Sequence, residues 1–176
     1  VWSSDSQSLL FTEVDIEKVR NIPHVNYGPS DDGSVHPQLT EKKQALPGDE
    51  HVPGLRLCVI HLATGQLQKM DYPPIPAMSC GVVGMGFFDA KLGWWSPDNR
   101  RVFFIDAPRD SRVVRIVEWD TQSGTTRTAL EETDESIVRL RYHAQSLPLI
   151  APLPDTDELV WFSERSGWGH LYLYDL

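Results

Sequence analysis

Residues 94–105 read Trp94-Trp95-Ser96-Pro97-Asp98-Asn99-Arg100-Arg101-Val102-Phe103-Phe104-Ile105, a polar turn set directly before a run of β-branched and aromatic residues. The phrase also opens the chain, where Val1-Trp2-Ser3-Ser4-Asp5 precedes Leu9-Leu10-Phe11. A weaker copy, Leu153-Pro154-Asp155, precedes Leu159-Val160-Trp161-Phe162. Asp5, Asp98 and Asp155 thus recur at intervals of 93 and 57 residues. A second landmark keeps step: aligning Leu57, Ile116 and Tyr172, each in an apolar run, gives intervals of 59 and 56. The unit is near 57 residues, and its first copy carries an insertion of roughly 35. One such unit cannot bury its own apolar faces, so the copies must stack on one another.

Within a unit the pattern is strand, turn, strand, turn. Proline presets φ in Ser96-Pro97-Asp98-Asn99, and Asp or Asn accepts local hydrogen bonds. Gly65 and Gly124 supply the positive φ that a hairpin needs. Val102–Ile105 and Val113–Val117 are apolar on both faces, which suits a sheet held between two neighbouring sheets. Short antiparallel units of about four strands point to β-propeller blades. The expected fold is all-β, a partial propeller of about three four-stranded antiparallel blades, in pieces 1–72, 73–130 and 131–176. A two-sheet sandwich is the alternative, but it does not require the recurring Trp-Ser-x-Asp phrase. Glu131–Tyr142 reads either as a short helix or, from the alternation of Val138, Leu140 and Tyr142, as a strand. Residues 15–53 are poor in large apolar side chains and rich in turn dipeptides, such as Gly28-Pro29 and Pro47-Gly48. They form either a projecting hairpin or a disordered loop.

Composition narrows the partners. Of 176 residues, 40% are hydrophobic and 23% charged, as in a globular domain. A net charge of −9 argues against nucleic acid, whose phosphates need a basic stripe. No apolar run approaches the ~20 residues that span a bilayer, so no membrane contact is expected. Cys58 and Cys80 lie outside any C-x-x-C or His/Cys cluster; no metal and no cofactor are expected. The two cysteines read as buried free thiols or, alternatively, as a disulfide. The chain opens on Val1 and stops within an apolar alternation at Tyr174-Asp175-Leu176, so it reads as a piece of a longer polypeptide of unknown compartment.

These phrases carry a family resemblance. Gly93-Trp94-Trp95-Ser96-Pro97-Asp98 and Val1-Trp2-Ser3-Ser4-Asp5 resemble the blade-opening signature of dipeptidyl-peptidase IV-type serine peptidases. Leu46-Pro47-Gly48-Asp49, followed by Val52-Pro53 and Leu55–Val59, is similar to the family's Tyr-Pro-x-x-Gly-x-x-Asn-Pro segment and strand. It departs at Leu46 for the aromatic and at Val52 for the Asn. Ser163-Glu164-Arg165-Ser166-Gly167-Trp168-Gly169-His170-Leu171-Tyr172 resembles the phrase before another propeller strand. The resemblance implies an eight-bladed propeller over an α/β-hydrolase domain that removes dipeptides from peptide amino termini, usually after Pro or Ala. The propeller then gates access and anchors the substrate amine. The other reading is a non-catalytic propeller used for protein binding.

The chain lacks the G-x-S-x-G elbow that forces a nucleophilic serine onto a strained turn, so no catalytic residue is assigned within it. The family's amine-binding glutamate pair implies a position just upstream of Val1. Glu131-Glu132 reads instead as a solvated turn after Leu130. The resemblance implies a ligand-facing role for Arg139 and Arg141, because an arginine fork suits a peptide carbonyl. The competing reading is two surface arginines on an edge strand. It also implies that residues 19–47 form an arm against a second subunit, making a homo-oligomer. His170 is expected to hydrogen-bond a neighbouring blade. Trp94, Trp95, Trp119, Trp161 and Trp168 are expected to fill blade interfaces.

Overall fold

The structure is a computed structural model that describes residues 1–28, 33, 35–76, 91–140, 147–153 and 155–176. Thirteen strands and no helix occur among them. β1 (Ser8–Asp15) runs out into the hairpin β2 (Asn21–Asn26) and β3 (Gln38–Lys43), and β4 (Gly54–His61) returns to pair with β1. β5 (Gln66–Lys69) and β6 (Ile75–Pro76) both pair with the far edge of β4. β7 (Gly93–Trp95), β8 (Arg101–Asp106), β9 (Val113–Asp120) and β10 (Thr126–Thr133) form a four-stranded antiparallel meander. β11 (Ile150–Pro152), β12 (Glu158–Ser163) and β13 (His170–Asp175) form a three-stranded one. These sheets are consecutive blades of a partial β-propeller.

The repeated phrase folds the same way in the first two copies. Ser3 Oγ donates to Asp5 Oδ1 at 2.6 Å and accepts from the Ser8 amide at 3.0 Å. Ser96 Oγ donates to Asp98 Oδ1 and accepts from the Arg101 amide at 3.0 Å. Each carboxylate also takes the amide two residues on, Gln7 and Arg100, at 3.0 Å. Ser6 (φ 58°) and Asn99 (φ 56°) turn the chain through the left-handed region. The third copy keeps the backbone bond, Leu153 amide to Glu158 carbonyl at 2.9 Å, but has no hydroxyl at 153. There the left-handed residue is Asp155 (φ 66°).

Register refines the repeat. Trp2 bridges Leu9, Trp95 pairs with Val102, and Pro152 pairs with Leu159. The later landmark shifts by one residue. Thr12 faces Leu57, Ile105 faces Ile116, and Phe162 faces Leu171, so Leu171 and not Tyr172 is the third equivalent. The slip matters because adjacent strand residues face opposite ways. Tyr172 lies opposite Trp161, on the face toward the middle blade, and Leu171 on the other. The boundary drawn at 130/131 falls inside β10, which runs to Thr133 past a bulge at Ala129. Residues 134–140 hold no helix; 141 and 142 lie outside the described residues.

The blades share one core. Leu10, Leu57 and Val59 of the first blade, Val102–Ile105, Ile116 and Trp119 of the second, and Leu159 and Trp161 of the third are buried together. The middle blade is covered on both faces; the third is not. Leu171 and Leu173, which lie opposite Phe162 and Val160, are 71% and 61% exposed. The isolated chain is therefore expected to self-associate through this face. Light scattering of a dilute sample that gives the monomer mass would contradict it. Cys58 is a buried free thiol, pushed up in pKa by burial; Cys80 lies outside the described residues.

One carboxylate fixes the β9–β10 turn. Asp120 accepts the Ser123 and Gln122 amides at 3.0 and 2.9 Å and the Arg100 guanidinium at 2.7 Å. The Ser123 amide first and Arg100 next hold its pKa down at about 2. A depressed carboxylate stabilises the fold above its unfolded pKa and loses that contribution as pH falls through the folded value. Asp120→Asn is therefore expected to be less stable than the parent sequence at neutral pH, with the gap closing as pH falls from about 4 to about 2. Urea unfolding across that range measures it; a gap independent of pH would refute the assignment.

Candidate functional site

Antiparallel meanders alternate their connections between two ends. The Ser3 and Ser96 turns and the Gly65 and Gly124 turns share one end. There Ser4 gives its amide to Asn99 Oδ1 at 2.8 Å, and Arg101 meets Asp157 at 2.5 Å, tying each blade to the next. The β1–β4 hairpin arm, the β8–β9 and β12–β13 turns and the exit of β10 gather at the opposite end, here called the rim. This gathering is physical as well as topological. Arg109 Nη1 donates to the Asp49 carbonyl at 2.7 Å, joining the middle blade to the root of the arm. Arg20 pairs with the Asp49 carboxylate at 2.9 Å, which also accepts the Leu46 amide at 2.8 Å. Gly48, at φ +89°, lets the chain close this loop. Lys43 Nζ donates to the Val19 carbonyl at 2.7 Å, and Val19 and Ala45 are buried. The arm is thus anchored at its root, while Val25, Tyr27, Val35 and Leu39 lie exposed beyond it.

Arg139, one of the two candidate ligand arginines, lies at the rim. Arg139 Nε donates to Glu164 Oε2 at 2.9 Å, bridging the exit of the middle blade to the β12–β13 turn. Both side chains remain about half exposed, at 46% and 45%. Leu140 beside it turns into the core. Arg141 lies outside the described residues. Arg139 is therefore a bridging surface cation rather than a residue of an edge strand.

Glu131 and Glu132 are strand residues, not a solvated turn. Glu131 accepts from Arg115 at 2.7 Å. Glu132 crosses to the third blade, accepting Ser163 Oγ and Arg165 Nη2, both at 2.5 Å. Arg165 stands 4.4 Å from the Tyr172 ring centroid and donates to the Tyr174 hydroxyl. Each carboxylate is thus paired with an arginine. The first two blades meet in a comparable contact, with Tyr72 Oη donating to Asp106 Oδ2 at 2.9 Å. Burial and the Asp106 charge push the phenol up to about 12, so it stays a neutral donor. Periodicity alone cannot reveal these latches, because each partner lies on a different unit.

Two expectations are corrected. His170 opens β13 with its side chain exposed and makes no side-chain hydrogen bond among the described residues. Trp119 and Trp161 are buried interface residues and Trp94 and Trp95 partly so, but Trp168 is 80% exposed. It sits in a turn between Gly167 (φ +89°) and Gly169, where a Cβ would lie 2.3 Å from the Phe162 ring. No group of three or more His, Cys, Asp or Glu able to hold a metal occurs among the described residues.

The family model described as "Dipeptidyl peptidase IV (DPP IV) N-terminal region" matches residues 1–176. Two crystal structures share the fold. One is a proposed dipeptidyl aminopeptidase IV from Bacteroides ovatus ATCC 8483, with a TM-score of 0.68 at 19% identity. The other is Porphyromonas gingivalis dipeptidyl peptidase 4, with a TM-score of 0.69 at 15% identity. Each match covers 99% of this chain and 22% of the other, so the chain spans about a fifth of those proteins.

Proposed function

Because this chain belongs to the dipeptidyl peptidase IV N-terminal region family, we propose that it is the propeller portion of a serine peptidase that removes dipeptides from peptide amino termini. Its own α/β-hydrolase domain docks on the rim, and the propeller gates and positions the peptide substrate. The family match over all 176 residues carries this reading. The rim supports it, because the arm root, Arg139 and the β12–β13 turn share one end. Arg139 and Arg141 are the proposed peptide contacts; Glu164 orients the first, and one face of a guanidinium fork suffices for a carbonyl.

The test is the full-length polypeptide. It is expected to release a chromophore from Ala-Pro-chromophore, to spare the N-acetylated substrate, and to react covalently with a fluorophosphonate. Absence of hydrolysis together with no labelling would sink the reading and leave the binding module.

The arm is proposed as the contact with a second copy, since its exposed apolar residues lie beyond a pinned root. Removing residues 21–43 spares Val19, Ala45 and the Arg109 contacts. That deletion in the full-length polypeptide is expected to halve the oligomer mass and to leave the KM for a dipeptide substrate unchanged. Sedimentation that shows the original mass would refute the arm's role.

A further inference from the structure

The inner strands of the second and third blades are mismatched in size. The register equates Trp94 with Ala151, Trp95 with Pro152 and Lys91 with Pro148. Where the middle blade projects large side chains, the third offers small or ring-closed ones, and space opens between them. Two adjoining cavities result, of about 470 and 340 Å³, and Lys91, Gly93, Trp94 and Pro152 line both. Such volumes are those of small-molecule sites, which are mostly apolar with a few placed polar groups.

Two of the lining side chains, Lys91 and Asp155, carry opposite charges, and both are exposed to an incoming ligand. Lys91 has no hydrogen bond or ion pair among the described residues, and neither has Asp155. Both line the larger cavity, yet they do not pair with each other. Both hold left-handed backbone, Lys91 at φ 57° and Asp155 at φ 66°. For a lysine that conformation is uncommon and points to a constraint at the position. Trp94, in the same lining, is fixed as a shelf, its ring stacked on Phe103 with centroids 6.0 Å apart and planes at 26°. Asp157, also in the lining, accepts from Arg101 at Oδ2, while its buried Oδ1 has no partner among the described residues.

We propose that this cavity binds a short zwitterionic peptide, of dipeptide size. Its carboxylate meets Lys91, its ammonium meets Asp155, and a proline or aliphatic side chain lies on Trp94. A single lysine balances one negative charge, and Asp155 and Asp157 in the same lining disfavour a dianion such as phosphate. The ligand chemistry rests on the cavity alone; its meaning as a site for the released product rests on the peptidase reading above.

The probe is Ala-Pro, titrated into the full-length polypeptide after fluorophosphonate treatment and followed by calorimetry. N-acetyl-Ala-Pro lacks the ammonium, and Ala-Pro amide lacks the carboxylate. Each cap is expected to weaken binding about tenfold or more, as loss of a charge-assisted hydrogen bond does. Lys91→Met is expected to make Ala-Pro and its amide bind alike, and Asp155→Asn to do the same for Ala-Pro and its N-acetyl form. Equal affinity for all three probes, or caps that act identically on the two variants and the parent, would overturn the proposal. A full-length polypeptide without peptidase activity that still discriminates the caps keeps the site and loses only the product assignment.

Discussion

Trp119→Ala is expected to lower stability by about 3–5 kcal/mol, the range for deleting a fully buried aromatic. The residue is 0% exposed, on β9 opposite Val102, where the first and second blades meet. The ring fills space that two blades define together, so neither can relax alone into the cavity. Its indole nitrogen is buried and has no hydrogen-bond partner among the described residues. Trp119→Phe therefore removes an unsatisfied donor along with some volume and is expected to cost far less than alanine. Urea unfolding of the two variants gives the comparison. Equal losses for Phe and Ala would mean that the nitrogen, not the ring's volume, stabilises the site.

Arg101→Met is the second large effect, expected at about 2–4 kcal/mol, somewhat below the penalty for breaking a fully buried pair. The guanidinium reaches Asp157 at 2.5 Å, Asp98 at 3.4 Å and Glu118 at 3.7 Å. Arg127 also holds Glu118, but Asp157 has no second cation among the described residues. Burial opposes charge on Arg101, and the hydrogen bond to Asp157 and the carboxylates outweigh it, so its pKa rises. It stays charged across ordinary pH, and the variant's defect follows the carboxylates. Asp98 is one of them, its pKa held down against burial by the Ser96 hydroxyl, the Arg100 amide and Arg101, so the loss is expected to be largest at neutral pH and to shrink on acidification. A loss that grows on acidification would reverse the assignment. Arg101→Lys is expected to recover only part of the loss, because a point charge cannot reach three acids as a planar fork does.

Much of the fold is written locally. Ser3 and Asp5, and Ser96 and Asp98, close the same turn because a hydroxyl, a carboxylate and the next amides can satisfy one another within five residues. The apolar runs that follow supply strands, and the repeat length supplies blades. Register was less legible. Leu171 and Tyr172 are both large and apolar in an alternating run, and only pairing with Phe162 and Trp161 assigns their faces. The candidate site was less legible still: the resemblance names Arg139 as a residue, and only the structure sets Glu164 beside it. The Glu132–Arg165 latch and the Lys91–Trp94–Asp155 cavity left no trace in any single motif.

The sequence by itself determined the repeated turns, the apolar strands that follow them, the stacking of units and the family. Those follow from interactions within a few residues and from periodic apolar burial, which any stretch of chain carries with it. The tertiary structure alone decided which charges meet across blades, which tryptophan fills an interface and which stands in solvent, and where unequal inner strands leave a cavity. Those outcomes depend on what lies opposite, and residues dozens of positions apart become opposite only when one blade is laid against the next.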